Sequence, residues 1–214
     1  MDGADGLLVP GAMVIVGELH GTREIPAAFD QLARTATCEL VVGLEIPRDE
    51  PSWFWTREIQ DGRSSEAIAM LIESLRARGV RVVAFDADES TWDQREHAMA
   101  ERLLATRAAH PHAALLVLTG NLHARLAADA IVEAPDGLWL AQRIPNVLSF
   151  DAVYGAGTAW NCDRVDDPGG IKPVLGDDVG PVRITRGGSP AYSGLLHVGP
   201  VSASPPAISR RSRR

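Results

Sequence analysis

The chain has 214 residues, a formal net charge of −7 at pH 7, 45% hydrophobic residues and 23% charged residues. This composition is typical of a folded globular protein and excludes the disordered and fibrous classes. The acidic balance also argues against nucleic acid as a partner, because no broad basic surface is available to bind phosphates.

The length predicts one α/β domain over residues 1–207, followed by a short basic segment. We expect residues 208–214 to form a disordered, solvated tail. Its basic residues are Arg210, Arg211, Arg213 and Arg214. No apolar stretch reaches the roughly 20 residues needed to cross a bilayer, and the first residues lack the pattern of a secretion signal. A cytoplasmic location without membrane contact is therefore expected, and the oligomeric state stays open.

The two cysteines, Cys38 and Cys162, lie far apart and show no metal-type spacing. Neither a disulfide framework nor a zinc site is indicated, so both thiols are expected to be reduced. This expectation agrees with a cytoplasmic location, where thiols remain reduced.

The pattern of apolar residues predicts strands alternating with helices through the first half of the chain. Strands are expected at residues 12–16, 40–44, 80–85 and 113–118. Helices are expected at residues 22–38, 53–59, 66–78 and 91–109. Thr22 or a neighbour is expected to cap the first helix, and Gly79 to end the third. Thr91 and Gln94 have the spacing of a capping box for the fourth helix.

Beyond Asn146 the sequence is rich in glycine, proline and aspartate, and strands are indicated only at residues 147–153 and 195–198. Between these two runs we expect irregular covering structure. Strands that alternate with helices are typical of a parallel sheet with right-handed crossovers. The predicted fold is therefore α/β, a mostly parallel central sheet flanked by helices, with late strands added from the C-terminal part.

Residues capable of chemistry follow three of the predicted strands. Glu18 and His20 follow the first strand, Glu45 the second, and Asn121 and His123 the fourth. Because the carboxyl ends of parallel strands lie along one edge of a sheet, we expect these side chains to converge there. A glutamate with histidines can hold a divalent metal or perform acid and base chemistry.

Arg95 lies in the opening turn of the predicted fourth helix, near the same edge. A partly buried arginine needs an acidic partner, and Glu45 or Glu18 would serve. The alternative is a surface salt bridge to Glu96 or Glu101. Asp86 and Asp88 also follow a strand and are weaker candidates.

Each candidate also has a purely structural interpretation. A single histidine at a strand end is commonly a hydrogen-bonded structural residue, and Glu45 could cap a helix or lie in a surface turn. The remaining histidines lack chemical neighbours in the sequence, and we expect no role for them. These are His97, His110, His112 and His197.

Several short motifs together resemble the superfamily of erythromycin esterases, ChaN-like haem-binding uptake proteins and Tiki/TraB metalloproteases. They are GELHG at 17–21, Glu45 at the end of a strand, REHAMA at 95–100 and GNLHA at 120–124. The segments GTAWNC at 157–162 and LLHVGP at 195–200 are similar to its later parts. Each motif is weak alone, but their order and their places after strands strengthen the match.

The resemblance implies an α/β fold with a polar cleft built from Glu18, His20, Glu45, Arg95 and His123. In the esterase-like branch, the histidine that matches His20 is a general base acting on water without a metal. In the Tiki-like branch, the residues matching Glu18, His20 and His123 hold a divalent ion such as manganese, cobalt or zinc. ChaN-like members bind haem.

The leading hypothesis is a small cytoplasmic hydrolase that cleaves an ester or amide bond of a small-molecule or peptide substrate. His20 would activate water, directly or through a metal, and His123 would be a second base or ligand. Glu18 and Glu45 would orient the imidazoles or bind the metal, and Arg95 would stabilise developing negative charge.

Two other interpretations remain open at this stage. The chain could bind haem or a small anionic ligand without turnover, with Tyr154, Tyr192 or an exposed histidine on the haem iron. Alternatively, the charged cluster could be a buried ion-pair network that serves structure only.

Overall fold

An eight-stranded sheet forms the centre of the computed structural model, which describes residues 1–48, 52–56, 61–127, 138–161 and 170–207. The strands are β1 (Met13–Glu18), β2 (Leu40–Pro47), β3 (Arg81–Asp86), β4 (Ala114–Gly120), β5 (Leu148–Asn161), β6 (Gly170–Asp177), β7 (Arg183–Arg186) and β8 (Gly194–Pro200). The α-helices are α1 (Glu24–Ala33), α2 (Ser52–Thr56), α3 (Glu66–Ala77) and α4 (Trp92–Ala109). A 3₁₀ turn covers Leu140–Arg143.

The strand order is β3-β2-β4-β1-β5-β8-β7, and β6 pairs with β5 beside this path. The first six strands of this order run parallel to their neighbours. The late pairs β5–β6 and β7–β8 are antiparallel. The predicted fold, a mostly parallel sheet with late strands added to it, is confirmed.

Helices cover both faces of the parallel strands, so β1 and β4 are buried along their whole lengths. Alternate residues of β1 point to opposite faces. Val14 and Val16 belong to the core that includes α1 and α3, whereas Met13 and Ile15 belong to the core that includes α4. Burial on both faces explains why the parallel strands read as continuous apolar runs in the sequence.

Three strands extend further at their carboxyl ends than the sequence predicts. The first strand includes Glu18, the second continues through Glu45 to Pro47, and the fourth reaches Gly120. Glu18 pairs with Gly120 of β4, whereas the register of β2 against β3 shifts between Leu44 and Pro47, around Glu45. Two of the predicted site carboxylates are therefore strand residues.

The helix ends differ in detail from the prediction. Helix α1 is shorter than 22–38, and Thr22 does not cap it, because its hydroxyl donates to Leu19 O at 3.5 Å and the N-cap is Arg23. Thr91 caps α4 as predicted, accepting from Gln94 N at 3.2 Å. The second half of the capping box is absent, since Gln94 Oε1 accepts from the Ser90 hydroxyl.

The glycine-rich late segment is more regular than expected, because β5 continues to Asn161 and β6 and β7 follow it. Close packing requires some of these glycines. A Cβ on Gly157 of β5 would lie 1.8 Å from Val201 O, in the chain that follows β8. Glycine is therefore needed where this chain crosses β5, although in the sequence the glycines suggest a loop. That later chain also holds the turn after β1: Ser204 N donates to Gly21 O at 2.8 Å, and Arg23 N to Ser202 O at 3.0 Å.

Three expectations concern residues outside the described ranges: the tail at 208–214, Cys162 and the end of the helix predicted at 53–59. Cys38 is a free thiol. Among the described residues, no helix is both long and apolar enough to cross a membrane.

Candidate functional site

The carboxyl edge of the four strands β3, β2, β4 and β1 carries a cluster of ionisable side chains. Glu18 is the last residue of β1, Asp86 the last of β3, and Glu45 lies near the end of β2. Gly120 ends β4, and His123 follows in the next turn. These strands are neighbours in the sheet, so residues far apart in sequence meet at one edge.

Glu18 and His20 form the first pair of this cluster. His20 Nδ1 lies 2.9 Å from Glu18 Oε1, and the imidazole is partly exposed whereas the carboxylate is buried. His20 Nε2 lies 3.9 Å from Glu45 Oε2. Because a carboxylate accepts the Nδ1 proton, Nε2 is the nitrogen that can take a further proton.

Burial raises the pKa of Glu18, and the neighbouring His20 only partly offsets this effect. Burial alone would lower the pKa of His20. The hydrogen bond that His20 donates to Glu18 and the charges of Glu18 and Glu45 outweigh this effect, so the pKa of His20 is raised above its ordinary value. Glu18 Oε2 is buried and has no hydrogen-bond partner among the described residues.

Glu45 lies at the centre of the cluster and accepts hydrogen bonds on both oxygens. Oε2 accepts from the Thr119 hydroxyl and from Gly120 N, each at 2.7 Å. Oε1 accepts from Arg95 Nη2 at 2.8 Å and from Arg63 Nη1 at 3.3 Å. Four donors therefore satisfy this buried carboxylate.

The charges around Glu45 decide its ionisation. Burial opposes the charged form, but His123, His20 and the two guanidinium groups hold the pKa of Glu45 well below its usual range. Glu45 is consequently a buried anion rather than a capping or surface-turn residue.

Arg95 pairs with acidic side chains inside the cluster, as the first sequence interpretation predicts. Its Nε and Nη2 donate to Asp86 Oδ1 at 2.9 and 2.6 Å, and Nη2 also donates to Glu45. Asp86, a weaker candidate in the sequence, thus belongs to the cluster, whereas Asp88 is exposed. These contacts differ from the alternative interpretation, in which Arg95 forms a surface salt bridge to Glu96 or Glu101.

Arg63 is a second guanidinium that sequence reasoning missed. Its Nη1 donates to Asp86 Oδ2 at 2.6 Å, and its Nε and Nη2 donate to Asp61 Oδ2 at 2.9 and 2.6 Å. The residue lies between α2 and α3, so neither a strand end nor a helical stripe marks it. The available signal was charge balance, because one arginine cannot neutralise all the carboxylates at this edge.

His123 is held by a glutamate that the sequence interpretation placed on the surface. Nδ1 of His123 contacts Glu96 Oε1, and Glu96 Oε2 accepts from Leu140 N at 2.6 Å. Glu96 is only 3% exposed. Its spacing from the buried Met99 and Leu103 places it on the core side of α4, which is the signal that could have found it.

The second nitrogen of His123 faces a cation. Arg95 Nη1 lies 3.2 Å from His123 Nε2, and a guanidinium can only donate. When the imidazole carries a single proton, we therefore assign that proton to Nδ1, where Glu96 accepts it.

Two tryptophans pack against the imidazole of His123. The Trp92 ring stacks on it with a centroid separation of 5.7 Å and an interplanar angle of 26°. The Trp139 ring meets it edge-on at 6.4 Å. Trp139 is buried, whereas Trp92 is 49% exposed at the start of α4.

Gly120 leaves the gap that the two histidines share. A Cβ at this position would lie 3.1 Å from His20 Nε2 and 3.3 Å from His123 Cδ2. Both imidazoles thus border one small space. Asn121, another candidate from the sequence, is exposed, and its backbone nitrogen donates to Glu18 O at 3.1 Å.

The three residues expected to hold a metal do not fit that role in the described structure. Among the described residues, no group of three or more histidine, cysteine, aspartate or glutamate side chains is arranged to hold a metal ion. Glu18 and His20 lie together, but the Nε2 of His123 accepts from Arg95 and its Nδ1 contacts Glu96. We derive no step through a metal.

The residues considered as haem ligands have other contacts. Tyr192 is buried, and its hydroxyl donates to Asn121 O at 2.8 Å, whereas Tyr154 is half-buried. His197, expected to lack neighbours, contacts Asp178 and Arg183. The exposed His97 contacts Glu101 on the surface of α4.

The sequence matches no protein-family model and no curated protein at a significant level. Two crystal structures are similar in fold. A protein of Bacillus cereus aligns with a TM-score of 0.63 and 12% identity, covering 92% of this chain and 90% of the other. A succinoglycan biosynthesis protein aligns with a TM-score of 0.62 and 9% identity, covering 91% and 89%. At these identities the similarity concerns the fold alone.

Proposed function

We propose that the protein is a hydrolase that cleaves an ester or amide bond, with His20 as the general base. The observation that carries the proposal is the contact of 2.9 Å between Glu18 Oε1 and His20 Nδ1, which leaves Nε2 of a partly exposed imidazole to accept a proton. Carboxylate-oriented imidazoles of this kind are efficient proton acceptors in catalysis. The reduced Cys38 suits a cytoplasmic location for such an enzyme.

In the proposed reaction, His20 Nε2 removes a proton from water while the water oxygen bonds to the substrate carbonyl carbon. Glu18 accepts the Nδ1 hydrogen bond throughout and stabilises the imidazolium that forms. The proton then passes from Nε2 to the leaving oxygen or nitrogen as its bond to carbon breaks. The products are a carboxylic acid and an alcohol or amine, so atoms and charges balance.

Arg95 is the candidate for stabilising the negative charge that develops on the carbonyl oxygen. Burial by itself would lower the pKa of Arg95, but Glu45 and Asp86 together have the larger effect and raise it. The guanidinium therefore remains charged. Glu45 accepts four hydrogen bonds and is therefore a positioning residue for Arg95 rather than a nucleophile. His123 contacts Arg95 from the other side and completes its support.

The test is hydrolysis of a panel of chromogenic esters and amides by the wild type and by His20→Asn. We expect the variant to lose about 10²- to 10⁴-fold in kcat/KM, the range for loss of a general base. The matched control is His97→Asn, since His97 is an exposed histidine on α4, and it should keep full activity. Equal rates in His20→Asn and the wild type would overturn the proposal.

Haem binding without turnover remains a prediction, since no contact of the described residues favours it. Absorbance titration of the protein with haem tests it directly. A Soret shift that saturates at one equivalent would support it, and an unchanged free-haem spectrum would remove it.

A further inference from the structure

We infer that Trp92 is the substrate-binding surface of this site and takes an uncharged planar ring attached to the scissile ester or amide. The inference rests on the proposed function, because it names the substrate class of the same site.

Trp92 lies directly against the cluster. Its ring stacks on the imidazole of His123, and Arg95 Cζ lies 5.8 Å from the ring centroid. Arg95 is the side chain assigned to the carbonyl oxygen. A substrate with its carbonyl at Arg95 therefore has its attached group within reach of the Trp92 ring.

The exposure of Trp92 separates it from a tryptophan that serves packing only. Trp139 contacts the same imidazole and is 2% exposed, whereas Trp92 is 49% exposed. An indole contributes more to stability when it is fully buried. An exposed indole beside a polar site is typical of ligand recognition, because flat rings stack on its face.

The charges around the site favour an uncharged ring over an anionic one. The carboxylates of the cluster are Glu18, Glu45, Asp61, Asp86 and Glu96, and its guanidinium groups are Arg63 and Arg95. Among the described residues of the cluster, the carboxylates outnumber the guanidinium groups, so these side chains would repel an additional anion. This excess disfavours the small anionic ligand considered from the sequence.

A different role for Trp92 would be to shield His123 from water. In that case, replacement of Trp92 would lower kcat for every substrate by the same factor. A ring-binding surface instead makes the loss depend on whether the substrate carries an aromatic ring. The two roles therefore differ in a measurable ratio.

The first experiment compares benzyl acetate with cyclohexylmethyl acetate, which has the same connectivity but a saturated ring, and with the anionic 4-carboxybenzyl acetate. For the wild type we expect kcat/KM to be highest for benzyl acetate, by about fivefold over the saturated ester. Trp92→Leu should lose this preference, and Trp92→Phe should keep part of it. Trp53→Leu, which changes an exposed tryptophan on α2, should leave the preference unchanged.

A second experiment measures binding without turnover. Ligand-observed NMR with N-benzylacetamide in His20→Asn protein should give a Kd about fivefold lower than in the His20→Asn/Trp92→Leu double variant. An equal Kd in both would overturn the inference. If the wild type hydrolyses none of the esters while binding still depends on Trp92, the proposed hydrolysis fails and the ring-binding surface stands. If the wild type hydrolyses the esters without preferring the aromatic ring, and binding does not depend on Trp92, the proposed hydrolysis stands and the inference about Trp92 fails.

Discussion

Glu18 Oε1 and His20 Nδ1 lie 2.9 Å apart, although β1 ends at Glu18 and His20 belongs to the following turn. The contact determines which imidazole nitrogen faces the gap at Gly120. It also connects the protonation of two groups whose pKa values are both raised. The pH dependence of any activity should therefore report on this pair.

The first prediction concerns the pH profile of hydrolysis. His20 must be neutral to accept a proton, and its pKa is raised above the ordinary 6.5, so kcat/KM should rise with pH above 6.5. Glu18→Gln removes the carboxylate that raises this pKa and leaves the burial that lowers it. The variant should be slower, with its rise displaced to lower pH. An unchanged profile in Glu18→Gln would exclude His20 as the titrating base.

The second prediction concerns stability against pH. The folded-state pKa of Glu45 is lowered well below 4.5, so its charge stabilises the fold above pH 4.5, and this contribution is lost as the pH falls further. Glu45→Gln should cost about 3–5 kcal/mol at pH 7, because it removes a buried partner from two guanidinium groups. The difference in the free energy of unfolding between the variant and the wild type should become smaller below pH 4.5.

Urea unfolding at pH 7 and at pH 3.5 measures this difference in the free energy of unfolding. Glu39→Gln is the control, since Glu39 is an exposed carboxylate directly before the first residue of β2, away from the cluster at its carboxyl end. If the difference in the free energy of unfolding between Glu45→Gln and the wild type is the same at both pH values, the assignment of Glu45 as a strongly stabilised anion is contradicted.

The third prediction concerns the gap between the histidines. Gly120→Ala places a methyl group 3.1 Å from His20 Nε2 and 3.3 Å from His123 Cδ2, so the imidazoles must move. Overpacking of this kind costs about 1–3 kcal/mol, and a displaced base should lower kcat more than it raises KM. Gly170→Ala is the control, because its added Cβ meets nothing within 4 Å. Full activity in Gly120→Ala would show that the reaction does not use this gap.

The fourth prediction concerns Glu96 as a positioning residue. Glu96→Gln keeps the size of the side chain but weakens its hold on His123 Nδ1, so we expect kcat to fall about tenfold with KM nearly unchanged. Nitrogen NMR of His123 should show a mixture of tautomers in the variant. Glu101→Gln, an exposed carboxylate on the same helix, should change neither measurement. A single unchanged tautomer in Glu96→Gln would contradict this role.

Most residues of the candidate site could be predicted from the sequence, because the carboxyl ends of parallel strands lie along one edge of the sheet. Glu18, Glu45 and His123 follow continuous apolar runs, and strand direction alone brings them together. Arg95 was found because the crossover helix after β3 begins above the same edge.

The two missed residues escaped for different reasons. Arg63 reaches Asp86 from a connecting segment whose position is set by tertiary packing, so no periodic pattern marks it. Glu96 does share the helical spacing of the buried Met99 and Leu103, but a charged residue with charged neighbours in the sequence is more typical of an exposed helix face. In the late strands, glycines required by a chain crossing were interpreted as turn residues.

The carbonyl of Gly21 accepts from Trp160 N and from Ser204 N, each at 2.8 Å. The turn that carries His20, the proposed general base, therefore depends on parts of the polypeptide that are synthesised long after it. A nascent chain halted before Ser204 would hold the His20 imidazole on an incompletely anchored turn. We expect the proposed activity to be acquired late in translation, once the last crossing segment has emerged and docked.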